Sequence, residues 1–136
     1  MTSGKSMKVV YELPEQCTAP ADGVQFWSTI RFEYGIRDHG WCRRAIRFKG
    51  VEARREREEA CVNTWHYGAS DKLVEINDSD WLKEICADAR PHLRREFEKK
   101  HHYMIYLRDA PVVELIADSW ELLPEELGEW PLIKLT

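Results

Sequence analysis

The stretch His101–Asp118, HHYMIYLRDAPVVELIAD, decides the fold. Two apolar runs flank Arg108-Asp109-Ala110-Pro111, a break that reads as a tight turn. Both runs are rich in strand formers, and no other segment of the chain is as hydrophobic. The pattern predicts a central β-hairpin that is apolar on both faces and therefore covered on both sides.

Glu114 is the only charge between Val112 and Ala117. A two- or four-residue loop sets it opposite Ile105, and a three- or five-residue loop sets it opposite Tyr106. Pro111 cannot take the left-handed position that ends the commonest three-residue loop, which favours Ile105. Buried there, the carboxylate would have its pKa raised, as acid–base catalysts often do. Facing water or meeting an arginine, it is structural. His101 and His102 open the first strand, where neighbouring side chains point to opposite faces. The two therefore cannot ligate one metal together, and either would need His66, His92, Asp118 or a cysteine. The expectation is one exposed and one packed histidine, with no metal and no cofactor. Glu114, His101 and His102 are the candidate catalytic residues.

Outward from the hairpin, Lys8–Leu13 and Asp71–Asn77 read as short strands, and Val24–Tyr34 alternates as a half-buried one. In the last, Phe26, Ile30, Phe32 and Tyr34 share a face opposite Trp27, Thr29, Arg31 and Glu33. Residues 41–59 admit a second hairpin about Lys49-Gly50. It would pair Phe48 with Val51, Ile46 with Ala53, Arg47 with Glu52 and Arg43 with Glu56. Against this, RREREE is a better helix former than strand former, so residues 51–60 read either way. The hairpin would also set Arg44 opposite Arg55, with Arg57 one step on. Like charges there need an anion between them: Glu114, an acid of the tail, a bound phosphate or an acidic partner. Residues 42–57 carry seven basic and two acidic side chains (7 − 2 = +5), and residues 111–136 one lysine and six acids (1 − 6 = −5). Internal neutralisation of the basic segment by the tail is the plainest reading. Arg44, Arg55 and Arg57 remain the anion-binding candidates.

Asn77-Asp78-Ser79 are capping residues before DWLKEICADA, where Trp81, Leu82, Ile85 and Cys86 recur at helical spacing. One principal helix is expected over about residues 80–89. Pro91 restarts a second, highly charged helical segment through Leu93 and Phe97. Ser119–Leu123 reads as a turn of helix before Pro124. The expected fold is α+β: a single, mainly antiparallel, curved sheet of six to seven strands with one principal helix, and Trp27, Trp81 and Trp120 in or beside the core.

Length bounds the chain to one domain, residues 1–136, with residues 1–6 a disordered extension. At 43% hydrophobic and 32% charged it belongs with globular rather than disordered chains. A net charge of −4 supplies no global positive field for nucleic acid or an anionic membrane. The four cysteines include no close pair, so zinc knuckles and CxxC chemistry are excluded and reduced thiols in a cytoplasmic protein are expected. No apolar run suits a leader or a membrane span.

The segment Ser79-Asp80-Trp81-Leu82-Lys83-Glu84-Ile85 is followed by His101-His102-Tyr103-Met104-Ile105-Tyr106-Leu107-Arg108-Asp109 and then by Glu114-Leu115-Ile116-Ala117, which carry the patterns S-x-W-[LI]-x-E-[LI] and H-[HY]-x-[IL]-x-[FL]-x-D. These motifs resemble those of a family of small bacterial proteins of uncharacterised function. The resemblance implies a fold and no activity. Val112 or Val113 stands where such proteins usually carry an aromatic after the hairpin turn.

No nucleophile elbow, catalytic cysteine signature or glycine-rich phosphate loop is present, which argues against an enzyme. The function expected first is a non-catalytic interaction module that binds another macromolecule, most simply a protein, with immunity-like roles suggested by analogy of size and acidity. The alternatives are nucleic-acid or phosphorylated-ligand binding through Arg43, Arg44, Arg54, Arg55 and Arg57, and a small hydrolase or isomerase using a buried Glu114 and a histidine. The arginine reading requires those side chains on one exposed face. The hydrolase reading requires a cleft that brings Glu114 to His101, His102 or His66.

Overall fold

The computed structural model describes residues 6–14, 17–20, 25–36, 40–58, 61–62, 64–108 and 110–128. The hairpin at its centre consists of β6 (His101–Tyr106) and β7 (Val112–Ala117), and every β7 residue is buried. These two strands lie inside a five-stranded antiparallel sheet with β5 (Lys72–Ile76), β1 (Met7–Glu12) and β4 (Ala53–Arg57), in the order β1-β5-β6-β7-β4. A second antiparallel sheet contains β2 (Thr29–Ile36), β3 (Gly40–Lys49), β8 (Ser119–Leu122) and β9 (Glu126–Gly128); β8 and β9 pair in succession with β3. The fold is α+β, but the strands form two sheets rather than one.

Alternation along β6 and β7 gives the two-sided burial its physical basis. Tyr103, Ile105, Val113 and Leu115 pack with Ile30, Phe32, Ile46 and Phe48 of the second sheet, in one core between the sheets. Met104, Tyr106 and Val112 point the other way and meet Val62, Trp65 and Ala69 on or beside a 3-10 turn, His66–Ala69. The same far face carries α1 (Asp80–Asp88) and α2 (Pro91–Glu98).

The hairpin expected about Lys49-Gly50 does not form. Gly50, at φ 63°, turns the chain out of the second sheet and into the first. The crossing is stitched by the Asp118 N–H donating to Lys49 O and the Glu52 N–H donating to Ile116 O, both at 2.8 Å. The alternation in residues 41–57 is real, but each strand has a different partner. Arg43 meets Glu33 rather than Glu56, and Arg47 meets Glu121 rather than Glu52. Residues 53–57 are strand, paired with β7, because β7 offers Arg55 the carboxylate of Glu114.

Two smaller expectations also change. Ser119–Leu122 is strand β8, not helix, since its backbone completes β3. Phe26 and Trp27 precede β2 and lie exposed, so Trp27 is not a core residue. Trp120 packs against the inter-sheet core as expected. Residues 1–5 of the expected extension lie outside the described residues, and Ser6 is bonded to Asn77 through both backbone and side chain. The end of the tail, residues 129–136, likewise lies outside them.

Candidate functional site

The central hairpin's register places Tyr106 opposite Val112 and therefore Glu114 opposite Met104, neither Ile105 nor Tyr106. Tyr106 and Val112 are the last pair of the ladder, and beyond it Arg108 bridges Thr18 instead of pairing within the hairpin. On the other side of β7, Glu114 lies opposite Arg55. Glu114, His102 and Arg55 consequently gather on the face that looks towards the helices.

Arg55 grips Glu114 bidentately, with Nε donating to Oε2 and Nη2 to Oε1, each at 3.0 Å. His102 Nε2 lies 2.7 Å from Glu114 Oε1, and His102 Nδ1 lies 2.6 Å from Ser79 Oγ. An ionised carboxylate only accepts, so Nε2 carries the proton and donates to Glu114. In the neutral ring Nδ1 is then the acceptor, and the Ser79 hydroxyl donates to it. Ser79 is also the N-cap of α1, its Oγ accepting the Leu82 N–H at 3.0 Å. Ser79, His102 and Glu114 are buried to 6%, 4% and 2% exposure. Trp81, on the first turn of α1, closes over the group: its ring meets His102 edge-on at 5.1 Å and takes the Arg55 guanidinium at 4.1 Å.

Burial alone would raise the Glu114 pKa. The hydrogen bonds from His102 and Arg55, with the Arg55 charge, outweigh it and bring the carboxyl down to about 2. The expected raised-pKa acid is therefore a permanent anion at neutral pH. It can orient a histidine and stabilise a cation on it, but it cannot deliver a proton.

His101, on the alternate face, is half-exposed and bonds Glu75 at 2.7 Å through Nδ1. His66 is buried in the 3-10 turn beside Trp65, and His92 is exposed on α2, so neither joins His102. Among the described residues no group of three or more metal-ligating side chains is found.

The arginine set does not assemble. Arg44 sits on β3 in the second sheet, donating to Leu123 O and to Glu125, while Arg55 and Arg57 sit on β4. Arg43 pairs with Glu33, Arg54 with Glu56 and Arg55 with Glu114, and Arg57 donates to Cys61 O. These side chains are divided between two sheets, and Arg43, Arg44, Arg54 and Arg55 each pair with a carboxylate of the chain. Three of the acids involved on this basic segment, Glu114, Glu121 and Glu125, come from the acidic C-terminal portion.

Beside the Ser79–His102 bond opens a groove of about 750 Å³, between α1 and α2 on one side and the end of β5 and start of β6 on the other. Leu82, Cys86 and Ala87 of α1 line it, facing His101 and His102 of β6. A smaller cavity of about 80 Å³ lies on the other flank, among Arg55, Trp65, Trp81 and His102. Sequence reasoning missed Ser79 as a site residue because it read only the cap. The available signal was that a cap serine directly follows an inward-facing strand, and that one histidine of the central hairpin must also face inward.

No family model, curated protein or solved structure matches the chain. No helix among the described residues is long and apolar enough to cross a membrane.

Proposed function

We propose that the protein is a binding module whose ligand seats in the groove between the α1–α2 pair and the end of the β5–β6 strand pair. One observation carries this reading: neither helix has a single fully buried residue, although both are amphipathic and together they roof a 750 Å³ groove. Leu82, Ile85, Cys86, Leu93 and Phe97 all remain half-buried. A helix pair that served only the core would bury its apolar stripe. The volume suits a compact organic ligand, for which pockets of roughly 300–1,000 Å³ are usual. The charges on the groove balance, with Lys83, Arg94 and Lys100 against Glu75, Asp78 and Glu98. An uncharged occupant with an apolar body and a hydrogen-bonding head fits that lining.

The test is a fluorescence titration with Nile red, a neutral apolar dye. The wild type should bind it saturably, and Ala87→Trp, which fills the groove from an exposed helix position, should weaken binding at least tenfold. Equal binding by the two proteins contradicts the reading.

A macromolecular partner, the reading expected from sequence, is favoured by a separate observation. Phe26 and Trp27 are 55% and 59% exposed, and Arg54 Nη1 holds the carbonyls of both from β4 at 2.9 and 3.0 Å. Exposed aromatics on a fixed support are the usual anchors of interfaces. A partner captured by the wild type and lost with Trp27→Ala would support it; equal capture would not. The cysteines at 17, 42, 61 and 86 are free, which supports a reducing, cytoplasmic setting.

A further inference from the structure

We propose that Ser79 is a nucleophile, activated by His102 and oriented through Glu114, and that the groove beside it hydrolyses uncharged carboxylic esters. The inference rests on the groove being a ligand site and adds a reaction to it.

Three residues from separate elements stand in the order nucleophile, base, carboxylate, with spacings of 2.6 and 2.7 Å. Adjacent helix capping does not need this arrangement: Ser79 already satisfies Leu82, and a cap serine requires no buried histidine behind it. The approach to Ser79 is a sharp strand-to-helix turn. β5 ends at Ile76, Asp78 takes a left-handed φ of 53°, and α1 starts at Asp80. Aspartate is among the few non-glycine side chains that take this backbone readily, which lets the chain turn sharply here. The turn holds the Ser79 hydroxyl at the junction of sheet, helix and groove. Ser79 and His102 both line the groove, so a carbonyl bound there would stand beside the pair. Glu114 and Arg55 do not line it. They act through His102 and are positioning residues.

In the reaction, Ser79 Oγ bonds to the ester carbonyl carbon as its proton passes to His102 Nδ1, and the carbonyl π pair moves onto oxygen. Collapse of that intermediate breaks the acyl C–O bond, and the leaving alkoxide takes the proton from Nδ1 to depart as an alcohol. Water then attacks the acyl-serine with the same proton route, releasing the carboxylic acid and restoring Ser79. Glu114 stays ionised throughout and stabilises the cation that forms on His102.

The experiment treats the full chain with an alkyl fluorophosphonate and with p-nitrophenyl octanoate, alongside the Nile red titration. The expected result is one adduct per chain, mapped to Ser79, and turnover of the ester. Ser79→Asn keeps a capping oxygen but no nucleophile, so it should lose the adduct while keeping the wild-type circular-dichroism spectrum and urea midpoint. His102→Gln should slow labelling by about 100-fold or more. Glu114→Gln should move the pH profile of labelling to lower pH, an effect that loss of packing alone would not produce. No adduct on Ser79 in a chain that binds Nile red overturns the nucleophile and leaves the groove reading standing. Failure of both overturns the groove reading and the nucleophile with it.

Discussion

Replacing Glu114 with glutamine removes one charge and little volume from the centre of the far face of the five-stranded sheet. The carboxyl is lowered from 4.5 to about 2, which corresponds to roughly 3 kcal/mol of stability at neutral pH. Arg55 is half-exposed and can turn to water once its partner is gone, so about 3 kcal/mol is an upper figure for Glu114→Gln. The folded value lies below the unfolded one. The contribution is therefore complete above about pH 4.5 and is lost as pH falls towards about 2. At pH 3.5 the unfolded chain is mostly protonated at this position while the native one is not, and about 1.4 kcal/mol of the contribution should have gone. Urea denaturation of both proteins at pH 7 and pH 3.5 measures this. The gap between them should shrink from roughly 3 to roughly 2 kcal/mol. A gap that is unchanged or wider at pH 3.5 would refute the picture of an ionised Glu114 held by Arg55 and His102.

Two further outcomes follow from the fold. Gly50→Ala should cost roughly 1–2 kcal/mol by urea denaturation, because φ is 63° there and an added Cβ would lie 2.0 Å from Asp118 Oδ2. An unchanged midpoint would mean the crossing between the sheets tolerates another backbone. With iodoacetamide, exposed Cys61 should react first, and Cys17 and Cys42 only on unfolding, since both are fully buried and burial pushes the Cys17 thiol up to about 12. Early modification of Cys42 would contradict the packing of the second sheet.

Local pattern was enough for several elements. His101–Asp118 reads as a doubly covered hairpin because both faces are apolar, and β6 and β7 are the middle of the first sheet. Ser79 as cap and Pro91 as restart mark the two helices, because capping chemistry is local. Pairing was not legible. Residues 43–57 alternate well enough to match one another, and only three-dimensional competition with Glu33, Glu121 and Glu114 sends β3 and β4 to different sheets. The Glu114 register was lost for a similar reason: the bridge from Arg108 to Thr18 is a long-range contact that no turn rule contains. At the site, His102 on β6 and Glu114 on β7 could each be suspected as a polar side chain in an otherwise apolar strand. Their meeting with Ser79 depends on α1 lying across β6, which the helix's own residues do not specify.

Cys86 lies inside the groove and Cys61 outside it, so occupancy can be read on the native chain without any substitution. The rate of iodoacetamide modification at each thiol, measured by peptide mass spectrometry with and without saturating Nile red, tests the groove directly. The account predicts that the dye slows Cys86 several-fold and leaves Cys61 unchanged. Equal rates at Cys86 with the dye bound would place the ligand elsewhere and contradict it.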